Sequence, residues 1–85
     1  MMEVRKWIID WMADNSGINR EEIEQNSAVN YFEKEYIDSF DFIMLVGEIE
    51  ETFGVVFDNE QFEDRDFSTI DGLADCIEKN RKDRV

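Results

Sequence analysis

The chain contains no histidine, no proline and a single cysteine, and no apolar run approaches membrane-spanning length. Without histidine, both the usual general base of a serine nucleophile and a common transition-metal ligand are missing. One cysteine cannot form an internal disulfide. Because the first residues also lack the basic-then-apolar pattern of a signal peptide, the sequence predicts a cytoplasmic protein without membrane insertion.

Basic residues are absent from the middle of the chain. From Glu35 to Asp64 there are ten acidic residues and no Lys or Arg, and the whole chain carries a formal net charge of -13. The phosphates of nucleic acids and the headgroups of anionic lipids are bound by Lys and Arg. The composition therefore argues against nucleic-acid binding and predicts partners with basic surfaces.

Length and composition predict one folded domain over residues 1–85, which we expect to be a monomer. At 85 residues the chain is near the size at which a single core is only just sufficient. A hydrophobic fraction of 42% with 13% aromatic residues is too rich for a disordered chain. No proline-rich stretch, repeat or low-complexity segment marks a second domain.

The spacing of apolar residues predicts an all-α fold. A first stripe at helical spacing predicts a helix that ends near Gly17, and residues 19–23 predict a further turn of helix. Residues 25–36 show no helical period and predict a long loop. The first helix stripe comprises Val4, Trp7, Ile8, Trp11 and Met12, and the side chains expected to anchor the loop are Val29, Tyr31, Phe32 and Ile37.

A second long helix is predicted to begin at a cap supplied by Asp38 or Ser39 and to end at Phe53, where Gly54 stops it. Residues 55–57 predict an extended connector, and residues 59–64 predict a brief third helix. Ser68 or Thr69 is predicted to cap a last helix, whose apolar stripe is Ile70, Leu73, Ala74 and Ile77. The result is a small four-helix bundle.

The second long helix has two apolar faces. One is a core stripe, and the opposite one contains Phe40, Ile43, Met44 and Gly47 and is flanked by acidic residues. An apolar patch with an acidic rim predicts a docking surface for a basic partner, unless the chain dimerises through it or the loop of residues 25–36 covers it. The core stripe comprises Phe42, Leu45, Val46, Ile49 and Phe53, and the flanking acids are Asp41, Glu48, Glu50 and Glu51.

No catalytic residue and no metal site are predicted. A nucleophilic Ser39 would need an adjacent base, but the nearest amine, Lys34, lies among acids that favour its cationic form. The loop from Asp58 also fails the EF-hand pattern, because Glu63 stands where glycine is required and Thr69 where an acid is required. Two readings of Ser39 remain: a simple helix cap, or a hydroxyl that another protein modifies.

The order of these features resembles the acyl carrier protein family, whose members carry a 4′-phosphopantetheine arm on the serine of an Asp-Ser-Leu motif. Here the motif is Asp38-Ser39-Phe40, and it is followed by an acidic helix, by Phe53-Gly54-Val55 and by the Ser68-Thr69-Ile70 helix start. The resemblance covers essentially the whole chain. Glu35-Tyr36-Ile37, Phe40 and Met44 depart from the pattern of fatty-acid carriers. Ile37-Asp38-Ser39-Phe40, Phe53-Gly54-Val55 and residues 62–69 look nearer to D-alanyl and other specialised stand-alone carriers.

The resemblance implies a non-enzymatic carrier whose Ser39 receives the arm from coenzyme A through a phosphopantetheinyl transferase. It also implies loading and processing enzymes as partners, with an acyl or aminoacyl group held as a thioester. The alternative is an acidic helical interaction module that is never modified. The residues for which the resemblance implies partner contact are Asp38, Phe40, Asp41, Ile43, Met44, Glu48 and Glu51.

Overall fold

Four α-helices account for most of the structure, a computed structural model that describes residues 4–57 and 65–83. A 3-10 turn precedes the last helix, and the β structure within these residues is one isolated antiparallel bridge between Asn30 and Thr69. The all-α prediction is confirmed, while the predicted helix at 59–64 lies outside the described residues. The helices are α1 (Val4–Ser16), α2 (Arg20–Gln25), α3 (Ser39–Phe53) and α4 (Ile70–Asp83), and the 3-10 turn is Arg65–Ser68.

The apolar stripes of α1, α3 and α4 meet in one core, as their spacing predicts. Most stripe positions are fully buried, whereas Trp7, Phe42 and Phe53 lie half-buried at its edge. Trp7 packs edge-on against Phe53, with ring centroids 5.4 Å apart, and so joins α1 to the end of α3. None of the helices described is both long and apolar enough to cross a bilayer.

The segment between α1 and α3 is more ordered than a loop. The helical turn predicted at residues 19–23 forms α2 and extends to Gln25. The Asn19 side chain caps its start by accepting from the Glu21 N–H, and at its end the Asn26 N–H donates to the Glu22 and Ile23 carbonyls.

Arg5 of α1 ties α2 to the rest of the bundle, because it donates to the Glu24 carbonyl of α2 at 3.3 Å and forms a 2.9 Å ion pair with Asp71 of α4. It also donates to the Ser27 hydroxyl, just beyond α2, at 2.8 Å. One α1 side chain thus holds three helices together.

Tyr31 anchors the remainder of the loop. Its N–H donates to the Ser68 carbonyl at 3.1 Å, and its hydroxyl donates to the Phe67 carbonyl. Burial raises the pKa of the Tyr31 hydroxyl, so the donated proton is retained.

Two anchor assignments in this loop differ from the prediction. Val29 was expected in the core but is exposed, while Tyr36, which was not expected there, is buried. A backbone hydrogen bond accounts for the burial of Tyr36: its N–H donates to the Tyr31 carbonyl and folds the loop back on itself. Hydrophobicity alone does not determine which side chains of an irregular segment face inward.

Gly54 ends α3 as predicted. Its φ of 67° lies in the left-handed region, and its N–H donates to the Glu50 carbonyl at 3.0 Å. Beyond it, Val55 and Phe57 are buried and Val56 is exposed, which is the alternation of an extended connector.

Gly47, by contrast, lies inside α3 at an exposed position, and a Cβ there would meet nothing within 4 Å.

The two glycines therefore give opposite predictions for the same substitution. Gly54→Ala should lower the free energy of unfolding by about 1 kcal/mol or more, because a side chain is strained in the left-handed region. Gly47→Ala should raise it by about 1 kcal/mol, since alanine is the better helix former. Urea unfolding of both variants measures the two changes, and a destabilised Gly47→Ala would show that this glycine has a packing role.

Candidate functional site

The start of α3 is fixed by a reciprocal pair of hydrogen bonds. The Asp38 carboxylate accepts from the Asp41 N–H at 2.8 Å, and the Asp41 carboxylate accepts from the Asp38 N–H at 3.4 Å. This arrangement is a capping box. The cap is therefore Asp38 and not Ser39, which settles the choice that the sequence left open.

Ser39 is the first residue of α3 and is exposed. Because Asp38 supplies the cap, the Ser39 hydroxyl is not required for helix initiation. The other three serines of the chain differ from it: Ser27 is buried and accepts from Arg5, whereas Ser16 and Ser68 are half-buried. Ser39 is thus the serine most open to a reagent or another protein.

An open groove of about 530 Å³ lies beside Ser39. It runs between the last turn of α1, the end of the loop and the first turn of α3. Its volume falls within the range of roughly 300–1,000 Å³ typical of ligand pockets. The lining residues are Asn15, Ser16, Phe32, Glu35, Tyr36, Ile37, Asp38, Ser39 and Asp41.

The charges around the groove are all negative. Glu35, Asp38 and Asp41 line it, and no Lys or Arg does. The positive end of the α3 dipole partly offsets this charge at Ser39 itself. With no base among the lining residues except carboxylates, the groove does not provide the groups that activate a serine nucleophile.

The predicted exposed face of α3 is present. Phe40 is 69% exposed, Ile43 70% and Met44 40%, so the loop of residues 25–36 does not cover them. Gly47 extends this face toward the middle of the helix. We call Phe40, Ile43, Met44 and Gly47 the outer face of α3.

The acidic rim of the outer face is only partly available to a partner. Glu51 is exposed, but the Glu48 carboxylate accepts a hydrogen bond from the indole N–H of Trp11, and Asp41 belongs to the capping box. Glu50 accepts from the Phe57 N–H at 3.3 Å. The Trp11–Glu48 contact was not predicted, although a buried indole N–H usually finds an acceptor.

Aromatic rings fill the space beneath the first turns of α3. The Phe42 ring lies 5.4 Å from that of Phe32, 5.8 Å from that of Phe67 and 6.2 Å from that of Tyr31, measured between centroids. Phe57 continues the cluster at 5.0 Å from Phe67. The rings of the described residues therefore occupy space that a long apolar ligand at this place would need.

Within residues 4–57 and 65–83, no group of three or more Cys, Asp or Glu side chains is arranged to hold a metal ion. The acidic residues of α3 are instead spread along the helix, and several are occupied by the hydrogen bonds described above.

Comparison with known proteins identifies one similarity. A family model described as "Phosphopantetheine attachment site" matches residues 6–77, which include the capping box, Ser39 and the outer face. No curated protein and no solved structure matches the chain. The match covers most of the 85 residues and agrees with the resemblance found from the Asp38-Ser39-Phe40 motif.

The capping box yields a prediction with a conservative control. Asp38→Ala should lower the free energy of unfolding by about 1 kcal/mol, because alanine cannot accept the Asp41 N–H. Asp38→Asn should retain most of the stability, since asparagine is an equally good cap. Chemical denaturation provides the measurement, and equal loss in both variants would show that the Asp38 charge matters more than the hydrogen bond.

Proposed function

Because the chain belongs to the phosphopantetheine attachment-site family, a family of non-catalytic carrier proteins with a covalent 4′-phosphopantetheine group, we propose that Ser39 is its attachment residue. The observation that carries the proposal is the position of Ser39. Of the four serines, all of which lie in the described residues, it is the exposed one, and it begins a helix that another residue caps.

The surroundings of Ser39 fit the group. The N-terminus of a helix favours a phosphate, because its first N–H groups and its dipole both attract negative charge. The adjoining groove leaves room for an arm beside the hydroxyl. When bound, the group supplies a thiol that holds the cargo as a thioester.

The attachment step needs a base from outside the chain. The Ser39 oxygen forms a bond to the phosphorus of coenzyme A that bears the pantetheine, and the pyrophosphate bond to the adenosine bisphosphate breaks. The hydroxyl proton leaves to a base of the transferase, since the groove around Ser39 offers only carboxylates that are themselves hydrogen-bonded or exposed. The chain contributes a positioned and exposed acceptor.

The ring cluster favours a small cargo. Phe42 packs against rings on three sides, and among residues 4–57 and 65–83 these rings occupy the interior beneath the first turns of α3. A short acyl or aminoacyl group does not require that space. This agrees with the resemblance to D-alanyl and specialised carriers, and we propose a cargo of that class.

The outer face of α3 is proposed as the docking surface for the transferase and for the enzymes that load and use the cargo. Its exposed apolar side chains supply adhesion, and the surrounding acids orient a basic partner. Glu51 is exposed and is proposed to make a charge contact, whereas Asp38 and Asp41 could do so only through the carboxylate oxygens that the capping box leaves free. Glu48 would have to exchange its bond to Trp11 for a bond to the partner.

The attachment residue is tested by intact mass after co-expression with a broad-specificity phosphopantetheinyl transferase. Wild-type chain should gain the mass of one 4′-phosphopantetheine group, and Ser39→Ala should gain none. Ser16→Ala is the matched control, because it removes a hydroxyl from the same groove and should still be modified. An unmodified wild type would favour the alternative function, an acidic interaction module in which Ser39 only begins a helix.

The docking surface is tested by the rate of that same modification. Ile43→Glu places a charge in the centre of the outer face and should lower kcat/KM of the transferase about tenfold, corresponding to about 1.4 kcal/mol of binding in the transition state. Val56→Glu is the control, since Val56 is 67% exposed but lies outside α3. Equal rates for the two variants would place the docking surface elsewhere.

A further inference from the structure

The groove and the outer face lie on different sides of Ser39. At about 100° per residue, Asp38 and Asp41 fall on one side of α3, and Phe40, Ile43 and Met44 fall on the other. The structure agrees with this division, because the two aspartates line the groove and the three apolar side chains are exposed to solvent. Ser39 lies between them and belongs to the groove lining.

From this arrangement, and given the proposed attachment at Ser39, we propose that the groove between the end of α1 and the start of α3 is the resting site of the phosphopantetheine arm when no partner is docked. The outer face is convex and exposed, whereas the groove is concave, and its volume suits a ligand of moderate size. The anchor residue itself forms part of its wall.

The chemistry of the lining matches that of the arm. Pantetheine has amide groups and a hydroxyl that donate and accept hydrogen bonds, together with a short branched apolar portion. The groove offers the Asn15 side-chain oxygen, the Ser16 hydroxyl and the Glu35 carboxylate as polar partners, whereas the Asn15 NH2 donates to the Trp11 carbonyl. Its apolar surface comes mainly from the half-buried Phe32, because Ile37 is buried. A long fatty chain would find little of the apolar lining that it requires.

The backbone of the groove wall is held in an unusual shape. Glu35 has a φ of 60°, in the left-handed region that residues other than glycine seldom occupy. Hydrogen bonds keep it there: the Glu35 N–H donates to the Phe32 carbonyl, and the next N–H, that of Tyr36, donates to the Tyr31 carbonyl. The wall is thus formed before any arm is attached, which lowers the cost of binding one.

A resting site in the groove would divide the surface of the carrier into two parts. The arm would occupy one side of Ser39 and leave the outer face uncovered for the first contact with an enzyme. The groove is open to solvent, so the arm could leave it without unfolding any helix.

The test uses isotopically labelled chain that carries the arm on Ser39. Nuclear Overhauser contacts should join protons of the arm to those of Asn15, Ser16 and Phe32, and the amide signals of residues 15, 16 and 36 should shift between the unmodified and modified chains. Contacts only to Met44 or Val56, or arm signals as narrow as those of free pantetheine, would overturn the proposal.

A pair of variants sharpens the result. Asn15→Phe places a ring in the groove from the last turn of α1 and should abolish the contacts of the arm. Gln25→Phe also replaces an amide side chain by a ring, but in the last turn of α2, outside the groove, and should preserve the contacts. If Asn15→Phe does not fold, the contacts in the wild-type chain decide the question. A chain that is modified but shows no contact with the groove contradicts only the resting site, whereas a chain that cannot be modified contradicts the proposed function as well.

Discussion

The capping box between Asp38 and Asp41 is the constraint on which the site depends. By pairing the Asp41 N–H in the first turn of α3 and the N–H of Asp38 itself, it fixes where the helix begins and therefore which residues face the core. Leu45, Val46 and Ile49 are buried as a result, and the outer face is left in solvent. It also releases Ser39 from the capping role that a serine at a helix start usually has.

The charge of the chain complements this geometry. In the proposed role, the Ser39 hydroxyl is offered to the transferase and must not react by itself, and the absence of histidine together with the acids around Ser39 fits that requirement. With the basic partners proposed here, negative charge along α3 would speed encounter and keep the complexes reversible. The same charge repels itself, so cross-helix contacts such as those of Arg5 help hold the bundle together.

Periodic features could be predicted from the sequence, and features that depend on contacts between distant residues could not. The bounds of α1 and α3, the left-handed Gly54 and the exposed outer face all follow from local spacing and capping chemistry. The bond from Trp11 to Glu48 joins residues 37 positions apart, and it depends on how α1 and α3 pack. The burial of Tyr36 and the groove beside Ser39 likewise arise only when the loop folds against α1.

The most direct test of the attachment residue is to locate the modification by peptide mass spectrometry. Trypsin cleaves after Lys34 and Arg65, and the fragment of residues 35–65 contains Ser39 as its only serine. We expect this fragment, from chain co-expressed with a transferase, to be heavier by one 4′-phosphopantetheine group, with fragmentation assigning the group to Ser39. An unmodified fragment, or a group found on any other residue, would contradict the role of Ser39.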